Sequence, residues 1–182
     1  MRPINIPPLA KSRQAGVIIA ERMIYVKLLF KQRFFSWFDS YDVYYESGEV
    51  AYTVKGELSW GKLLRIYDAK GEHVGTVEQQ IFTFLPKFDL YMGEELFSTL
   101  CKELTFLTPR YYFDGGPGWE IEGDFMGWDY DLTDAGGYPV ASISKEIWNF
   151  TDTYTVSVSD PDDALTALMA VIAIDAVKSS NN

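Results

Sequence analysis

The chain has 182 residues, with 16 Lys and Arg against 26 Asp and Glu, for a formal net charge of −10. Hydrophobic residues make up 47% and aromatics 16%, enough for one substantial core, which excludes general disorder. A single cysteine and a single histidine exclude an internal disulfide framework and a multi-histidine or cysteine-based zinc centre, and the acidic balance argues against general nucleic-acid binding.

Residues 1–21 carry Pro3, Pro7 and Pro8 with little periodicity, and are read as a partly ordered extension; the folded domain is expected over 22–182. The apolar run Val17–Ala20 is too short for a secretory leader. With one cysteine, a cytoplasmic protein is expected. From Met23 to Phe30 the chain turns aromatic and β-branched and reads as a strand, and Phe34 to Phe38 adds a second aromatic run. Short strands follow in pairs: Tyr41 to Tyr45 with Val50 to Val54, Leu63 to Tyr67 with His73 to Gln79, and Phe88 to Tyr91 with Leu96 to Leu100. Each pair is joined by a Gly-containing turn, where Gly takes positive φ at no steric cost. Strands at this spacing predict an all-β sandwich or barrel.

One unit recurs. Val54-Lys55-Gly56-Glu57-Leu58 and the block Ile66 to Val77 match Ile121-Glu122-Gly123-Asp124-Phe125 and the block Leu132 to Ile143. Both copies contain Asp-x-x-Gly turns, at Asp68–Gly71 and Asp134–Gly137; a weaker copy spans Val43 to Tyr52. Two good copies suggest a pseudo-symmetric single barrel and not an array.

At the C-terminus, Asp160-Pro161-Asp162-Asp163 is a helix start: a capping acid, a proline suited to the first turn, and acids at the positive end of the dipole. The helix is expected at about 161–178, and its apolar residues do not form one stripe, so it must be enclosed. Roughly 23–26 Å of helix could thread a small barrel, its alanines packing against strand aromatics and Asp175 and Lys178 emerging at the far rim. The apolar stretch Ala164 to Val177 is shorter than a membrane span and contains Asp175.

Taken in order from Met23 to Lys178, these segments resemble the LURP-one-related family of the tubby C-terminal-like superfamily, which also includes phospholipid scramblases. The resemblance rests on Phe34-Phe35-Ser36, the Tyr41–Tyr52 hairpin, Tyr52-Thr53-Val54-Lys55-Gly56, the paired Asp-x-x-Gly units, Phe106-Leu107-Thr108-Pro109-Arg110-Tyr111-Tyr112 and the terminal helix. It implies a mainly β fold, a roughly twelve-stranded tubby-like barrel closed around a central hydrophobic C-terminal helix. Within that superfamily tubby domains bind phosphoinositide and scramblases move lipids, but their binding residues do not map onto positions here.

Nothing in the sequence forms a catalytic constellation. His73 beside the Gly71 turn is read as a surface hairpin residue, and Cys101 as a small buried thiol with no basic cluster or helix N-terminus beside it. Glu120, Glu122 and Asp124, with Asp129 and Asp131, alternate along strands and could in principle ligate calcium or handle protons. The simpler reading is a solvent face, with Trp119, Ile121, Gly123 and Phe125 turned inward. Gly115-Gly116-Pro117-Gly118 lacks the Lys-Ser/Thr of a phosphate loop. No catalytic residue, metal or cofactor is therefore expected. The expected function is a non-enzymatic cytoplasmic binding or scaffold module with a protein partner and no nucleic acid. The alternative is a peripheral membrane protein binding anionic phospholipid, or one handling lipid as scramblases do, with Arg22, Lys27, Lys31 and Arg33 as lipid-binding residues among aromatics.

Overall fold

The computed structural model describes residues 26–31, 40–124, 129–148 and 151–179. Twelve strands follow one another: β1 (Val26–Lys31), β2 (Ser40–Tyr45), β3 (Val50–Glu57), β4 (Leu63–Asp68), β5 (His73–Gln79) and β6 (Lys87–Met92) form the first half. β7 (Glu95–Lys102), β8 (Arg110–Asp114), β9 (Glu120–Gly123), β10 (Tyr130–Thr133), β11 (Pro139–Trp148) and β12 (Thr151–Val158) form the second. Each pairs antiparallel with its sequence neighbours, and β1 also pairs with β12, so the sheet closes on itself with no free edge. A 3-10 turn, Pro161–Asp163, leads into one helix, α1 (Ala164–Ser179). The predicted strand pairs and helix appear where the sequence places them.

Alternation sets the wall. In β8 and β9 every second residue is buried, and Tyr111, Phe113 and Ile121 point inward. β4 does the same with Leu64 and Ile66. The inward side chains meet α1, of whose 16 residues twelve are buried, all but Thr166 apolar. Ala164, Ala167, Ala170, Ala173 and Ala176 recur every third position and share one core with the bulky Phe30, Phe88, Tyr130 and Tyr154 of the wall. β5 approaches most closely at Gly75, where an added Cβ would lie 3.2 Å from the Tyr91 carbonyl oxygen and 3.3 Å from Met169 Sδ. The lumen is a packed core rather than a ligand cavity.

The recurring sequence unit is a recurring structure, β3–β5 and β9–β11. Asp68 Oδ1 accepts from the backbone N–H of Lys70 and Glu72, both at 2.9 Å. Asp134 Oδ1 accepts from those of Gly136 and Tyr138, at 2.8 and 2.9 Å. Gly71 and Gly137 follow with φ of +83° and +79°, each closing a tight turn to the aspartate carbonyl at 2.9 Å. The register shifts at Ile66/Tyr67 and at Leu132/Thr133, the equivalent place in each copy. The weaker copy at Tyr45–Glu49 makes the same backbone turn, with Gly48 at φ +87° but without the aspartate.

Candidate functional site

An up-and-down barrel sends alternate connections to opposite ends, and here the two ends differ in chemistry. At one end lie the tight turns 46–49, 69–72, 93–94, 115–119 and 134–138 and the entry to α1 at 159–163. They carry Glu46, Glu49, Glu72, Glu94, Asp134, Asp160, Asp162 and Asp163, with Lys70 as the single base among them. Asp160 caps the helix entry: its carboxylate accepts from the Asp162 N–H at 3.0 Å. At the other end lie the longer loops 58–62, 80–86 and 103–109, whose charged residues are Lys62 and Glu103 alone, and the β9–β10 connection, which brings Asp124 and Asp129.

The loop end is apolar and open to solvent. Trp60, Phe82, Phe84 and Phe106 are 95%, 99%, 93% and 97% exposed, and Leu58, Ile81, Leu104 and Leu107 are exposed beside them. Large hydrophobics exposed elsewhere among the described residues are Tyr45, Leu96, Tyr112 and Tyr138. Phe82 stands at φ +63°, the left-handed region that costs a bulky residue about 1–3 kcal/mol. The backbone thus holds this ring outward in a strained conformation with no compensating burial of its side chain.

The loops are anchored to the core. Lys62 Nζ donates to the Ala176 carbonyl and, at 3.0 Å, to Ser179 Oγ, so a loop lysine covers the carbonyls that α1 leaves open at its C-terminus. The Lys62 and Gln79 N–H groups meet the Gln79 side-chain carbonyl at 3.3 Å and the Lys62 carbonyl at 2.8 Å. Burial lowers the Lys62 ammonium to about 8, with Asp175 opposing the shift. Burial raises the Asp175 carboxyl to about 6 against the pull of Lys178 and Lys62. Asp175 is half-buried rather than free at the rim, and Lys178 lies over the Tyr130 ring, 4.9 Å from its centroid.

The sequence-derived candidates fall apart in space. Lys27 pairs in register with Ser157 near the turn end and bonds Glu46 at 3.0 Å, both side chains exposed. Lys31 closes β1 toward the loop end; Arg22 and Arg33 lie outside the described residues, as do the Phe34–Phe38 run and Phe125. His73 opens β5 at the turn end, its ring 2.9 Å from Thr76 Oγ1 and 3.4 Å from Glu94. Cys101 is buried near the opposite end of β7. Glu120 and Glu122 face outward while Ile121 and Gly123 face in, as alternation predicts. With Glu103, Asp124, Asp129 and Asp131 they line an external groove of about 510 Å³, where Arg110 bonds Glu122 at 2.8 Å. Among the described residues, no three His, Cys, Asp or Glu side chains converge as a metal site, and no helix is long and apolar enough to cross a membrane.

Fold and surface together define a class: a closed antiparallel barrel filled by its own C-terminal helix, with acidic tight turns at one end and exposed apolar loops at the other. Residues 26–175 match the family described as LURP-one-related, and the chain belongs to that family. It is 28% identical over 153 residues to the uncharacterized protein YxjI of Bacillus subtilis (strain 168), covering 84% of this chain and 93% of that protein. No solved structure matches it.

Proposed function

We propose that this protein is a non-enzymatic cytoplasmic binding module of the LURP-one-related type that engages its partner through the loop end of the barrel. One observation carries the reading: α1 fills the lumen, while the exposed large apolar side chains concentrate on three loops at one end. A filled barrel offers its surface, not a cavity, and clustered apolar exposure on a soluble wall marks a contact surface. The acidic turn end is solvated and internally hydrogen-bonded, which suits a face left in water.

The test is fractionation of cells producing the protein, in three forms. Wild type is expected in a sedimenting assembly or particle larger than a monomer. Phe82→Ser/Phe106→Ser is expected to release it to monomer size, and the turn-end pair Glu72→Ser/Glu94→Ser to leave it in place. Release by the turn-end pair, with the loop-end variant unchanged, would overturn the reading.

A further inference from the structure

We propose that the loop end is a membrane-docking face, which sets the aromatic tips Trp60, Phe82, Phe84 and Phe106 into the interface of a lipid bilayer with the barrel standing on that end. This deepens the functional reading above by naming the partner, and rests on its assignment of the loop end.

Shape is the first argument. Four rings exposed to more than nine-tenths are separate fingers and make little contact with one another or with the wall. A rigid protein partner needs a continuous complementary surface, and a second copy of this chain would present the same fingers. A bilayer interface is fluid and closes around each ring independently, and Trp and Phe are the side chains that settle there.

Charge is the second. The three aromatic loops carry one base and one acid, Lys62 and Glu103, and Lys62 is turned back onto the Ala176 carbonyl, while Asp124 and Asp129 of the β9–β10 connection add only negative charge at the same end. The acidic turns sit at the far end of the barrel, where standing on the loop end keeps them away from headgroups. Apolar insertion, and not attraction to anionic lipid, is therefore the driving force, which separates this surface from the basic residues of β1.

Rigidity is the third. Phe82 is held outward by a left-handed backbone, and the 58–62 loop is tied through Lys62 to the end of α1. Ring positions fixed before binding lose less freedom on insertion.

The experiment is co-sedimentation with vesicles of pure phosphatidylcholine and of phosphatidylcholine with phosphatidylserine, at about 0.1 M and about 1 M salt. Wild type, Phe82→Ser/Phe106→Ser and Lys27→Glu are compared, with light scattering of each protein alone. Both phenylalanines are almost fully exposed, so the double variant keeps its fold, which a thermal melt verifies. Expected are binding to phosphatidylcholine alone, a change of less than about threefold with salt, and a loss of at least tenfold in the double variant only. Three outcomes overturn the proposal. Binding confined to anionic vesicles, abolished by salt and by Lys27→Glu, places the contact on the basic strand. Absence of binding to either vesicle by a monomeric, folded wild type removes the lipid partner, while the fractionation result still stands or falls separately. A wild-type dimer that the double variant dissociates makes the occupant a second copy, which leaves the loop end as the contact surface.

Discussion

Replacing Asp175 with asparagine removes a carboxylate from the end of the core while keeping its shape. Burial lifts that carboxyl from its ordinary 3.8 to about 6, even with Lys178 and Lys62 near it. The difference corresponds to about 3 kcal/mol spent on holding the ionised form in the folded state. The sign follows from linkage. The folded state binds the proton more tightly than the unfolded chain, so wild-type stability falls as pH rises from near 3.8 through about 6 and then levels off. Asparagine carries no such dependence. Urea unfolding of both proteins should show the Asn variant more stable by about 2–3 kcal/mol at neutral pH, the gap shrinking to about 1 kcal/mol near pH 4.5. A less stable variant at neutral pH would show that the Asp175 charge, through Lys62 and Lys178, is a net support. A gap independent of pH would refute the linkage argument itself.

Three further perturbations follow from the core and turns. Leu168 is completely buried within the barrel, so Leu168→Ala should cost about 2–5 kcal/mol by urea unfolding, with the circular dichroism of the native baseline unchanged. Gly75→Val drives a branched side chain against Met169 and the Tyr91 carbonyl and should destabilise by about 1–3 kcal/mol, lowering the thermal midpoint. Asp68→Ala and Asp134→Ala each remove two turn hydrogen bonds and should cost about 1 kcal/mol apiece, adding in the double variant because the two turns are separate.

Much of the fold is written in local pattern. Alternation in Leu63–Asp68 and Arg110–Asp114, the Asp-x-x-Gly turns, and the Asp160-Pro161 start with an all-round apolar helix each follow from side-chain period and turn chemistry. The equivalent register shifts near Tyr67 and Thr133 show that the sequence repeat reports a real geometric unit. The loop end was harder to read because it joins residues far apart in sequence. Leu58, Phe82 and Phe106 meet at one end only through the strand count between them, and each loop alone looks like an irregular apolar stretch. The available signal is the parity of an antiparallel meander: the third, fifth and seventh connections, which carry Trp60, Phe82, Phe84 and Phe106, share one end, while the second, fourth, sixth and tenth are tight turns that carry acids at the other. Proximity in sequence misleads in the same way at β1. Lys27 and Lys31 are close in sequence, yet four residues of extended chain separate their backbones by about 13 Å, and Lys27 is drawn to Glu46 at the turn end.

The buried Cys101 makes a direct test of docking simple, since a cysteine introduced on the surface becomes the accessible thiol. An environment-sensitive fluorophore on Phe82→Cys, and in a second protein on Glu72→Cys, would be followed as phosphatidylcholine vesicles are added at high salt. The expected result is a blue-shifted, brighter emission from position 82 and no such change from position 72, because the loop end enters the bilayer while the turn end stays in water. An unchanged spectrum at 82, or a shift at 72, would contradict it.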